Sequence, residues 1–268
     1  MIKKRLWFLA LLVVVIIYLM GPRPAKPEFG PVLPGIPSIA DSLDQYVKRS
    51  ESKHKLRPDN QARIIWADDS LKQKTEFALV YLHGFSASQA EGDPVHRTIA
   101  KKFGCNLYLS RLAEHGIDTT EALVSMTADE LWESAKEALE IGFKLGDKVI
   151  LMGTSTGGTL ALKLAAVYPQ INSLILLSPN ISIFDNNAWL LNNPWGLQIA
   201  RAVTGSHYVY SSDSRPLATQ YWNSRYRLEA ATELEELIET TMKPEVFNKV
   251  TQPLLLLYYY KDKVHQDS

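Results

Sequence analysis

The chain has 268 residues with 29 basic and 29 acidic side chains, so its formal net charge is zero and nothing in it predicts a nucleic-acid surface. A single cysteine, Cys105, excludes an internal disulfide and reads as a small buried apolar residue at the start of a strand. The six histidines show no pairing at metal-binding spacing, so neither a metal nor a cofactor is expected.

At the N-terminus Lys3, Lys4 and Arg5 precede residues 6–20, fifteen uncharged residues rich in Leu, Val and Ile. As a helix this run covers about 22 Å, enough for a signal-peptide core or a short membrane span. Arg23 stands where cleavage after Ala25 needs a small side chain, and no cysteine is nearby for lipid attachment. Residues 1–21 are therefore expected to be an uncleaved single-pass membrane anchor, its positive end in the cytoplasm and the rest of the chain exported. Residues 22–37 hold six of the fourteen prolines and predict an extended, semi-rigid linker.

The folded unit is expected over 38–268, long enough for one core with a cap. Residues 38–54 predict a helix with Ile39, Leu43 and Val47 on one side, and 62–67 a first strand. Residues 77–82 (FALVYL) form an apolar strand ending in the sharp turn of His83, Gly84, Phe85 and Ser86. Asp93 can cap the next helix, Pro94 fits its first turn, Ile99 and Phe103 make its apolar side and Gly104 ends it. A strand over 106–110 leads to RLAEHG at 111–116. Thr127 and Glu130 then form a capping box, with Leu131, Ala135, Ala138 and Leu139 at helical spacing behind them.

The most informative segment is VILMGTSTGG at 149–158, a buried parallel strand running into Gly-x-Ser-x-Gly and then a Leu- and Ala-rich helix over 159–168. A serine at the tip of such a bend is held in a strained conformation, and Gly153 and Gly157 relieve the crowding around it. Ser155 is the candidate nucleophile. Acyl transfer also needs donors for an oxyanion, and the backbone N–H groups of Thr156 and Phe85 are placed to supply them. His83 reads as a catalytic base or, more commonly for a histidine beside such a loop, as a ring holding the loop by hydrogen bonding.

With these motifs the chain resembles the α/β-hydrolases, and within them the carboxylesterase, monoacylglycerol-lipase and serine-aminopeptidase-like group, from about residue 60 onward. His115 and Gly116 are similar to the group's "GHG", where the histidine is structural, and TADELW at 127–132 to its "DDW" segment. The resemblance implies an α/β class fold, a mostly parallel sheet flanked by helices with an inserted helical cap. It also implies a covalent mechanism on a carboxylic ester, with a peptide amide as the competing substrate.

About 75 residues separate the strand at 174–177 from the last one at 254–260, so a cap is expected at about 182–250. It holds Trp189, Trp195, Tyr208, Tyr210, Tyr221, Trp222 and Tyr226, which can line an acyl or aryl pocket or pack the cap onto the core, and a helical stretch around Leu234, Leu237 and Ile238. In the resembled fold the triad acid follows the last strand, where Asp262 and Asp267 both qualify, and the histidine follows the acid. His265 is the histidine nearest to them, too close to Asp262 for the usual geometry. The C-terminal part of the fold, about 40 to 60 residues, is thus expected to be missing here. The expected function is a serine hydrolase for a small-molecule carboxylic ester, here in a truncated form that lacks the triad histidine. The other open reading is an inactive, membrane-tethered binding or scaffold protein, and His83 or His207 remain open as unusual bases.

Overall fold

The computed structural model describes residues 2–258. In chain order the elements are α1 (Ile2–Leu19), α2 (Ala40–Glu51), β1 (Arg63–Ile65), β2 (Thr75–Leu82), α3 (Val95–Phe103), β3 (Asn106–Leu109) and α4 (Ala128–Leu145). They continue with β4 (Gly146–Thr154), α5 (Thr156–Val167), β5 (Ser173–Leu177), α6 (Gly196–Thr204), β6 (Tyr208–Tyr210) and α7 (Pro216–Tyr221). The last are β7 (Arg225–Arg227), α8 (Glu229–Thr241), α9 (Pro244–Phe247) and β8 (Leu254–Leu257).

Six strands form one sheet in the order β1-β3-β2-β4-β5-β8. All neighbours run parallel except β1, which pairs antiparallel with β3 at one edge. The two-residue period of the central strand decides which face each side chain enters. Ala78, Val80 and Leu82 join the larger core under α4 and α5, whereas Leu79 and Tyr81 join the smaller core on the α3 side. Helices therefore cover both faces, as continuous apolar strands require. At the opposite edge Leu254–Leu257 of β8 are exposed.

The capping box at Thr127 and Glu130 is formed, and α4 buries Leu131, Trp132, Ala135, Ala138 and Leu139. The proline-rich segment forms no helix or strand, and its residues 30–32 lie against this helix and Tyr168. Its carbonyls are free to accept: Trp132 Nε1–H donates to Gly30 (2.9 Å), Lys136 Nζ to Val32 (2.8 Å) and the Tyr168 hydroxyl to Pro31 (2.8 Å).

Three elements differ in detail from expectation. In α2, Leu43 and Val47 are buried but Ile39 sits at the N-cap and is exposed. In α3 the buried side chains are His96 and Ala100, and Phe103 faces solvent. The reason is polar as well as apolar: His96 Nε2 bonds to the Gln89 carbonyl (2.9 Å) and its ring packs on Tyr81. The N-terminal run is helical and exposed, but among the described residues no helix is long and apolar enough to cross a membrane. Its uncharged part within α1, residues 6–19, reaches about 21 Å, against a hydrocarbon layer of about 30 Å. The end of α1 contacts the cap, where Trp195 Nε1–H donates to Ile17 O (3.0 Å).

Between β5 and β8 the cap comprises α6 to α9 and the β6–β7 hairpin. Helix α8 buries Leu234, Leu237 and Ile238, with Leu237 in the larger core. Its aromatics are used mostly for packing and polar contacts. The Arg225 and Arg227 guanidinium groups lie 4.6 and 5.2 Å from the centre of the Tyr208 ring, and the Tyr221 hydroxyl donates to Asp59 (2.8 Å).

Candidate active site

Ser155 lies between the end of β4 and the first residue of α5, with φ 49° and ψ −117°, a conformation costly for a residue with a Cβ. The bend is held from both sides. Ser155 N–H donates to Leu177 O (3.0 Å), and Asn180 N–H donates to Ser155 O (3.0 Å). Room for it comes from glycine: a Cβ on Gly157 would overlap the Leu82 carbonyl, and one on Gly153 would overlap the Gly157 carbonyl. The α5 N-terminus can thereby approach the end of β2 closely enough to place Ser155, half-buried, beside the loop that follows it.

That loop starts at His83 and is fixed by two buried histidines. His83 Nε2 accepts from Leu112 N–H (3.0 Å) while its Nδ1 donates to Gly84 O (2.9 Å). His115 Nε2 accepts from Ser86 N–H (3.0 Å) and its Nδ1 donates to Ala113 O (2.8 Å). Burial, then the neighbouring His115, holds His83 well below the usual histidine range, and burial pushes His115 down to about 4. Both rings are neutral, and each has its two nitrogens engaged. The structural reading of each is the one this geometry supports, since His83 has no nitrogen left to receive a proton from Ser155.

Among the described residues the Phe85 and Thr156 amides have no protein acceptor, which leaves both N–H groups available to a ligand. The cap closes over this loop: Asn223 N–H donates to Ser86 O (2.8 Å), and the Tyr226 ring meets Phe85 edge-on at 5.1 Å. Strand β8 pairs in parallel with β5 and brings Leu257 opposite Leu177, so its end reaches the same sheet edge as Ser155. Asp262 and Asp267, together with His265, lie outside the described residues. His207 is exposed on the cap.

A mostly parallel sheet with helices on both faces is matched by solved structures. The chain is similar to a structure from the study of LipS and LipT, two metagenome-derived lipolytic enzymes, with TM-score 0.56 and 14% identity over 77% of this chain and 92% of that one. The fold is that of the α/β-hydrolases. Weaker likenesses within the α/β-hydrolases include the Paleococcus ferrophilus monoacylglycerol lipase (TM-score 0.48, 12% identity, 74% of this chain and 88% of that one). Another is Est1E from Butyrivibrio proteoclasticus bound to ferulic acid (TM-score 0.47, 15% identity, 73% of each chain). No family profile and no curated protein sequence matches the chain.

Within this α/β-hydrolase frame one residue escaped the sequence reading. Glu91, in the 3-10 turn Gln89–Gly92, accepts from Gly84 N–H through Oε2 (2.6 Å) and from the Tyr81 hydroxyl (3.2 Å). Burial pushes its carboxyl up to about 7. A cavity of about 340 Å³ elsewhere is lined by Tyr46, Glu51, Arg111 and Glu137, but Ser155 is not part of it. Its Glu51 is already paired with Arg111 (2.8 Å), and its Glu137 accepts from Tyr46 (2.8 Å). Among the described residues no group of three or more His, Cys, Asp or Glu side chains is arranged to hold a metal ion.

Proposed function

We propose that the chain is a serine hydrolase for carboxylic esters, acting through an acyl-enzyme on Ser155. The observation that carries this reading is the strained, half-buried Ser155 at the carboxyl edge, next to a rigid loop with the free Phe85 amide. In the first step Ser155 Oγ bonds to the ester carbonyl carbon and gives its proton to a base, while the Phe85 and Thr156 N–H groups receive the oxyanion. Collapse of the intermediate breaks the bond to the alcohol, which leaves with that proton. Water then attacks the acyl group and frees Ser155. Asp262 or Asp267 orients the base in this scheme.

A small apolar ester is favoured because Tyr226 and Phe85 place aromatic surface beside the oxyanion loop, and the lipolytic character of the LipS and LipT study points the same way. Helix α1, apolar and exposed, is proposed to tether the domain to a membrane despite its short span, the bilayer thinning locally and Lys4 and Arg5 reaching to its cytoplasmic face, with the hydrolase on the exported side. Protease added to intact spheroplasts should reach the domain; protection there would contradict that orientation.

A second reading, an inactive tethered scaffold, is favoured by one observation: among the described residues no histidine hydrogen bonds to Ser155. Hydrolysis of p-nitrophenyl butyrate and of a matched anilide, by the wild-type chain and Ser155→Ala, separates the two. Ester turnover lost in Ser155→Ala supports the hydrolase, anilide turnover in its place shifts the substrate to amides, and equal rates in both proteins favour the scaffold.

A further inference from the structure

Gly84 sits between Glu91 and Ser155, two groups that the sequence keeps 64 residues apart. A Cβ placed on it would lie 2.8 Å from Glu91 Oε1 and 3.2 Å from Ser155 Cβ, so carboxyl and nucleophile flank the same glycine. Glu91 also reaches the nucleophile strand by a second path. The Tyr81 hydroxyl that donates to it is 2.9 Å from Thr154 Oγ1, on the residue immediately before Ser155. One side chain is thereby bonded directly to the loop that carries one oxyanion donor and, through Tyr81, to the strand end that carries the nucleophile.

We propose that Glu91 is the positioning residue of the oxyanion loop, holding the Gly84 peptide so that the next amide, Phe85 N–H, faces the space beside Ser155. This deepens the ester-hydrolase reading and rests on it. The chemistry demands a particular charge state. A neutral carboxyl can accept from Gly84 N–H without opposing the oxyanion, whereas a carboxylate would place a negative charge next to the one being formed. Desolvation keeps the group protonated to about pH 7. The titratable side chains around it are Tyr81 on β2, which burial keeps protonated, and His96 on α3, lowered by burial and packed on the Tyr81 ring. Asp93 and Arg97 pair with each other (3.2 Å).

The test is the second-order rate at which a fluorophosphonate labels the full chain, in which Ser155 Oγ displaces fluoride from phosphorus. Glu91→Ala should label at least about tenfold more slowly, a fraction of the loss seen when a whole oxyanion donor is removed. Glu91→Gln, which keeps an acceptor for the Gly84 amide, should recover most of that loss. The ratio of wild-type to Glu91→Gln rates should fall as pH rises from 5.5 to 8.5, a change that a merely structural role would not produce. Wild-type labelling at Ser155 that Glu91→Ala leaves unchanged overturns the proposal alone. If Glu91→Ala does not fold, a pH-independent ratio for Glu91→Gln overturns it. Absence of Ser155-dependent labelling in the wild type overturns the nucleophile reading, and the proposal with it.

Discussion

Glu91→Gln should change how the stability of the chain depends on pH. An unfolded glutamate ionises near 4.5, whereas the folded Glu91 carboxyl does so at about 7 because burial penalises its charge. Between these values the folded state binds more protons than the unfolded one, so raising the pH removes stability. The site's contribution is fully present below about pH 4.5 and is gone above about pH 7. At about 1.4 kcal/mol per pKa unit, the loss is about 3 kcal/mol. Glutamine does not titrate, so the stability of Glu91→Gln relative to wild type should rise by about this amount between pH 4.5 and 8. Urea unfolding followed by tryptophan fluorescence at several pH values measures it. His83 and His115, buried and neutral, act with the opposite sign but are common to both proteins and cancel in the difference. A wild-type-minus-variant stability that stays constant from pH 4.5 to 8 would refute the buried, uncharged Glu91.

Other perturbations probe the elbow, the loop and the strap. Gly157→Ala forces a methyl group into the Leu82 carbonyl and should destabilise by about 1–3 kcal/mol in thermal unfolding, with loss of Ser155 labelling. His115→Phe leaves the Ser86 N–H without its acceptor and should cost about 1–3 kcal/mol, again with slower labelling. Trp132→Phe removes the donor to Gly30 and should cost about 1 kcal/mol. It should also expose residues 28–32 to faster amide exchange, and unchanged exchange there would contradict the docking of that segment.

The strands and the elbow could be read from sequence because their signals are local. An apolar run followed by Gly-x-Ser-x-Gly dictates strand, bend and helix within a dozen residues, and Thr127 with Glu130 announces a helix start by its own chemistry. What could not be read depends on partners distant in the chain. Carbonyls of a proline-rich segment look solvated until Trp132, Lys136 and Tyr168 are brought against them. His96 looks polar enough for the surface, yet a carbonyl acceptor and the Tyr81 ring draw it inward and turn Phe103 out. Glu91 falls in the same class. Its spacing from Gly84 carries no known pattern, and only the turn at 89–92 directs its carboxyl back at the loop that starts at His83. The loop histidines were legible in kind, because a histidine beside a sharp turn has few roles that satisfy both of its nitrogens.

The most direct measurement is peptide mapping by mass spectrometry after treating the folded chain with a fluorophosphonate. A single adduct on Ser155, absent from Ser155→Ala of equal thermal stability, is the expected result. No adduct on the folded wild type, or an adduct on another serine, would contradict the assignment of Ser155 as an activated nucleophile.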